Sequence, residues 1–112
     1  MSQPTDILLV LTNLPNHDAA VTLGRALVER RLAACINVLG AATSIYRWKE
    51  ALETTPEVPL LIKTHAPLYA RVEAAIRELH PYELPEIIAV PIRHGLPDYL
   101  EWVNNQTFTE IG

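Results

Sequence analysis

The chain has 112 residues, 49% of them apolar and 20% charged, the composition of one ordinary globular domain spanning residues 1–112. A net charge of −4 and the lack of any Lys- or Arg-rich segment exclude the electrostatic footprint of a nucleic-acid or anionic-membrane partner. Cys35 is the only cysteine, which excludes an internal disulfide and paired-cysteine zinc motifs and points to a reducing cytoplasm.

Met1 to Asp6 carries no basic leader, and no apolar run approaches the ~18 residues that span a bilayer, so the mature chain is expected to start at or near Met1. Ile7 to Leu11 is a continuous apolar run and reads as a central strand buried on both faces, with Asn13-Leu14-Pro15-Asn16 as the turn after it. Asn16 offers an N-cap to a helix over about His17–Arg31, where Ala20, Gly24, Leu27 and Val28 recur at helical spacing. Ala33–Leu39 is a second strand, extended by Thr43–Trp48 past a bend at Gly40. Glu50 to Pro56 reads as a polar connection and Val58–Thr64 as the next strand. Pro59, which lacks a donor, is placed at that strand's free or bulged start. His65-Ala66-Pro67 opens a second helix with the stripe Leu68, Val72, Ala75, Ile76 and Leu79. Pro81 and Pro85 each fix φ at about −65° and push the preceding residue out of the helical region, so this helix stops around Leu79 or His80. Ile87–Ile92 is a fourth strand, whose Pro91 favours an edge, and Pro97–Val103 is a short closing helix.

Strand, helix, strand, strand, helix, strand is the split βαβ order, in which two helices cover one face of a four-stranded antiparallel sheet. The fold class is therefore α+β, a ferredoxin-like βαββαβ sandwich with an added C-terminal helix. The first and last strands are apolar at nearly every position, and one short helix is too small to hide the second sheet face. Self-association is the economical way to bury it.

Chemistry concentrates in His80-Pro81-Tyr82-Glu83-Leu84-Pro85-Glu86, where an imidazole, a phenol and two carboxylates sit on a stiff, extended loop. His80, Glu83, Glu86 and Cys35 supply donors suited to copper or zinc, although neither a His-Glu-x-x-His nor a paired-Cys spacing occurs. Cys35, inside a strand among Ala34, Ile36 and Val38, also reads as a small buried hydrophobe. Tyr46, Trp48 and Lys63 form a second cluster that the hairpin could bring onto one surface, or that simply packs on the sheet with a snorkelling lysine. The four glycines are isolated, so no phosphate-cradling loop is present. His17, His65 and His94 lie beside turns or element ends and carry no assigned role.

Arg31-Leu32-Ala33-Ala34-Cys35-Ile36-Asn37, Thr43–Trp48, Leu61-Ile62-Lys63-Thr64, His80–Ile87 and Pro97–Trp102 together resemble, in order, the CutA divalent-cation-tolerance proteins. The resemblance covers essentially everything from Ile7 to Val103. It implies a ferredoxin-like subunit in a cytoplasmic homotrimer whose long strands reach across to neighbouring subunits. It also implies binding of divalent metal ions such as copper and no settled enzymatic activity, and the donor chemistry of the chain names His80, Glu83 and Cys35 as the metal residues, with no enzyme expected. Some members have a cysteine near the end of the first strand and His-His-Pro after the second helix, where this chain has Leu11 and Leu79-His80-Pro81. The alternative is a trimeric signalling or scaffold protein resembling the PII regulators. Its inter-subunit clefts, lined by Tyr46, Trp48, Lys63, Tyr82 and Glu86 with His80, would take a small ligand or partner. An enzyme using His80 and a carboxylate ranks below both, since the sequence gives no separate sign of a substrate pocket.

Overall fold

Residues 6–107 are described by the structure, a computed structural model; the expectation about a start near Met1 falls outside them. Strand β1 (Ile7–Leu14) runs antiparallel to β4 (Ala51–His65), with Ile7 opposite His65 and Leu14 opposite Val58. On its other side β1 pairs with β5 (Ile88–Pro91), and β2 (Cys35–Val38) pairs with the far edge of β4. The order is β2-β4-β1-β5 with every pairing antiparallel, and β3 (Ala42–Trp48) pairs with the first half of β4. β5 is an edge strand, the position that Pro91 favours because its missing donor leaves no gap in a ladder.

Helix α1 (His17–Glu29) starts as its sequence requires: the Asn16 side chain accepts the Ala19 N–H at 2.8 Å. It ends two residues before Arg31, which takes a left-handed φ of 59° and lets the Leu32 and Ala33 N–H groups donate to the Leu27 carbonyl. Gly24 brings this helix down onto β2, since a Cβ there would lie 2.8 Å from Ile36 Cγ2. A 3₁₀ turn, Ala66–Leu68, carries Pro67 and precedes α2 (Tyr69–Leu79). Leu68, Val72, Ala75 and Ile76 are buried as the stripe predicts, whereas Leu79 is left exposed. They meet Ala20, Leu23 and Leu27 of α1 and the Val10, Leu14, Val58, Leu60, Ile62 face of the sheet in one core. Thr12 lies in that face, and its Oγ1 is buried with no hydrogen-bond partner among the described residues.

Helix α3 (Pro97–Gln106) covers part of the opposite face, packing Leu100 and Val103 on Ile7. It runs three residues beyond the expected Val103 and ends at Thr107, whose Oγ1 is 2.7 Å from His65 Nδ1. Burial lowers the His65 pKa, against the opposing pull of the Asp6 charge. Among the described residues nothing covers the rest of the face: Leu9, Leu11 and Leu61 are half-buried, and Ile88 and Val90 are 51% and 46% exposed.

Three expectations are corrected. Thr43–Trp48 does not extend the second strand of a four-stranded sheet but belongs to the separate strand β3, since the chain leaves the ladder between Val38 and Ala42, and the sheet has five strands. Residues 51–56 are strand, not connection; β-branched Thr54 and Thr55 pair with Ile45 and Ser44, and the polar residues are tolerated because this half of β4 projects beyond the helices. Pro59 lies mid-strand opposite Asn13, not at a free start. An antiparallel residue points its N–H and C=O at the same neighbour. The Pro59 carbonyl accepts the Leu39 N–H, so the missing donor falls just past the end of β2.

The hairpin turns through Lys49 and Glu50, both left-handed at φ 50° and 69°. Two-residue hairpin turns of this hand favour Asn-Gly, and a side-chain-bearing residue there costs roughly 1–2 kcal/mol. Lys49→Asn with Glu50→Gly is expected to raise stability by about 1 kcal/mol or more in urea unfolding. Thr12→Val, which removes an unpaired buried hydroxyl at nearly constant shape, is expected to raise stability by about 1 kcal/mol in the same measurement; lower stability would mean that the hydroxyl has a partner in solution.

Candidate ligand cleft around the proline-flanked loop

α2 stops where the prolines dictate: His80 is extended at φ −83° and ψ 136°, and its N–H still donates to the Ile76 carbonyl. The following loop has no ladder of its own, so side chains fix it. His80 Nε2 lies 2.7 Å from the Asn13 carbonyl oxygen, and the Tyr82 N–H donates to His80 Nδ1 at 3.1 Å. The two rings pack at 4.7 Å between centroids, tilted by 54°. At the loop's other end Asn13 Nδ2 donates to Glu86 Oε1 at 3.0 Å. Asn13 therefore holds both ends, one with its backbone and one with its side chain.

The Tyr82 hydroxyl donates to Glu57, a buried residue of β4. Burial first, then this hydrogen bond and the Glu57 charge, with a further contribution from Tyr46, push the Tyr82 pKa up to about 12. Tyr46, in turn, hydrogen-bonds Thr55 at 3.0 Å. The structure thus gathers Tyr46, Tyr82 and Glu86 of the expected cleft residues and adds Asn13 and Glu57, which the sequence reading missed. Asn13 looked like part of a turn, and Glu57 fell between the expected connection and the next strand. A β4 carried back to Ala51 would have put Glu57 and Tyr46 on one strand face by simple alternation.

Trp48 and Lys63 do not join them. Trp48 is at the hairpin tip with Lys49 Nζ 5.6 Å from its ring centroid. Lys63 hydrogen-bonds Asn37, and its Nζ lies 3.9 Å from Cys35 Sγ. Burial first, then the neighbouring Cys35 sulfur, raises the Tyr99 pKa.

The expected metal residues are not brought together within the subunit. Cys35 is level with Lys63 and Leu9, whereas His80 is tied at Asn13, four residues or about 13 Å further along β1. Glu83 is exposed on the loop. Among the described residues no three His, Cys, Asp or Glu side chains group to hold a metal. Both His80 ring nitrogens are engaged and an ammonium stands beside the Cys35 thiol, so this donor set does not fit a divalent ion.

An all-antiparallel sheet with two helices on one face, a third on the other and a pinned loop of polar residues defines a small α+β protein. Its helix, strand and loop pattern agrees with what known proteins show. The chain matches the description "CutA1 divalent ion tolerance protein" over residues 8–106 and belongs to that family. It is 41% identical over 99 residues to the divalent-cation tolerance protein CutA of Thermus thermophilus, covering 88% of this chain and 96% of that one. It is also 41% identical over 104 residues to Protein CutA of Mus musculus, covering 93% of this chain but spanning only 59% of the mouse protein. The crystal structure of CutA from Xylella fastidiosa superposes with a TM-score of 0.89 at 44% identity, covering 92% of this chain and 99% of that one.

Tyr82 allows a direct check of the cleft. Its folded pKa lies above the ordinary 10, so the native state holds a proton that the unfolded state releases first. Its stabilising contribution is complete below pH 10 and is lost as pH rises from there through about 12. Urea unfolding between pH 8 and 11 is expected to show Tyr82→Phe less stable by about 1 kcal/mol at pH 8 and flatter than the parent above pH 10. Parallel profiles would remove the Tyr82–Glu57 bond from the site.

Proposed function

We propose that this chain acts in the cytoplasm as a homotrimer of ferredoxin-like subunits that binds divalent cations, copper among them. Membership of the CutA1 family supports the cation role. The observation that carries the assembly is the open sheet face, where Leu9, Leu11, Leu61, Ile88 and Val90 lie without cover from α1 or α2. The β3–β4 hairpin adds Ile45 and Leu52, 68% and 69% exposed, on an arm that gives the subunit its 48 Å long axis. Neighbouring copies laid over the face and arm would remove this surface from water. The strand order and the single cysteine favour, in turn, the ferredoxin-like sandwich and a reducing compartment. Since donors do not converge within a subunit, a cation site in this reading draws on more than one copy. No catalytic step is assigned.

The packing of Tyr46, Tyr82, Glu57 and Glu86 favours a second reading, a PII-like trimer that accepts a small polar ligand or partner at its inter-subunit clefts. Light scattering across the size-exclusion peak is expected to give the mass of a trimer, and a monomer persisting at micromolar concentration would overturn the assembly. Copper(II) calorimetry on that trimer is expected to show saturable binding. A flat titration together with a small molecule retained through purification would transfer the assignment to the second reading.

A further inference from the structure

An imidazole binds a metal through a ring-nitrogen lone pair, and each His80 ring nitrogen already has a hydrogen-bond partner. The Tyr82 N–H can only donate, so Nδ1 at 3.1 Å from it accepts with its lone pair. The ring hydrogen is therefore on Nε2, where it is donated to the Asn13 carbonyl at 2.7 Å. Both partners are main-chain groups of this same chain, and His80 is only 8% exposed. We infer that His80 is a latch that ties the loop after α2 to the end of β1, and that it takes no part in binding divalent cations.

The position explains why a latch is needed. From His80 to Ile87 the chain belongs to no helix or strand, Pro81 and Pro85 have no N–H to offer, and Leu84 points outward at 70% exposure. The loop thus has no apolar anchor at its centre. Its other ties, Glu86 to Asn13 and Tyr82 to Glu57, involve groups that water can also reach at one end. His80 is the buried tie. It joins the C-terminus of α2 to the same residue that holds Glu86, which closes the loop on itself. A metal at Nδ1 would have to displace the Tyr82 N–H, and one at Nε2 would have to take over the hydrogen bonded to Asn13. Either would leave a main-chain group unpaired. This role holds whether or not the chain binds a cation.

The test uses the whole protein, labelled with ¹⁵N. Long-range ¹H–¹⁵N spectra of the imidazoles are expected to show His80 as the Nε2–H tautomer, with both nitrogen shifts unchanged at saturating zinc(II), a diamagnetic probe. In His80→Ala the Tyr82 amide is expected to exchange about tenfold faster or more, while the copper(II) affinity measured by calorimetry stays within about twofold of the parent. A zinc-dependent shift of either His80 nitrogen would overturn the latch. So would an affinity loss of about tenfold in His80→Ala with Tyr82 protection intact. Should His80→Ala fail to fold, His80→Asn, whose Oδ1 can accept the Tyr82 N–H, is expected to keep both the Tyr82 protection and the parent copper(II) affinity, and a tenfold affinity loss in it would overturn the latch. If neither protein binds metal, the tautomer and the Tyr82 exchange still decide the latch, and the cation reading of the family role is what falls.

Discussion

Strand β4 is the constraint on which the rest of this subunit depends. Its 15 residues pair with β1, β2 and β3, so one uninterrupted backbone sets the register of the core sheet and of the projecting hairpin. Period-2 alternation along it decides which side chains meet the helices. Val58, Leu60, Ile62 and Thr64 face α1 and α2, while Glu57, Leu61 and Lys63 face away. A one-residue slip would put Glu57 and Lys63 into the core and Leu60 and Ile62 onto the open face. The same alternation places Glu57 under the Tyr82 phenol and Lys63 beside Cys35, so the polar groupings on that face are set by the register that builds the core.

The loop after α2 is held by a different kind of constraint. No β ladder or apolar stripe reaches it, and its geometry comes from hydrogen bonds to two elements that are already fixed, β1 at Asn13 and β4 at Glu57. Its rigidity is borrowed from the sheet. The prolines reduce the number of conformations that it must give up, and the side-chain ties choose among those that remain. A residue type that suggests metal chemistry in a sequence can thus be used up locally in satisfying main-chain groups.

The elements whose identity rests on local rules were legible in the sequence. Asn16 capped its helix, the stripe from Leu68 to Ile76 was buried, the prolines stopped α2, and Pro91 marked an edge strand. The family was legible as well, because its motifs are contiguous words in the chain. What stayed hidden depends on pairing across the sheet. Thr54 and Thr55 look like loop residues until β3 lies beside them, and Pro59 looks misplaced until β2 is seen to end next to it. In the cleft, Tyr82 and Glu86 could be picked out by their place on a stiff loop, but Asn13 is 73 residues from its partner Glu86 and no local pattern announces such a contact. Sequence spacing also gave no warning that His80 and Cys35 sit at different levels of the sheet, each with neighbours of its own.

Asn13 holds one end of the loop with its carbonyl and the other with its amide, and these two connections differ in what a change of gene sequence can reach. Every amino acid at position 13 carries the same carbonyl, so selection acting there sees only the Glu86 half of the closure. The His80 half is written at position 80 alone. The two halves of one physical clasp can therefore drift separately among related chains: the amide contact can vanish without a trace on the imidazole, and a histidine can persist for its grip on a backbone that no alignment column records.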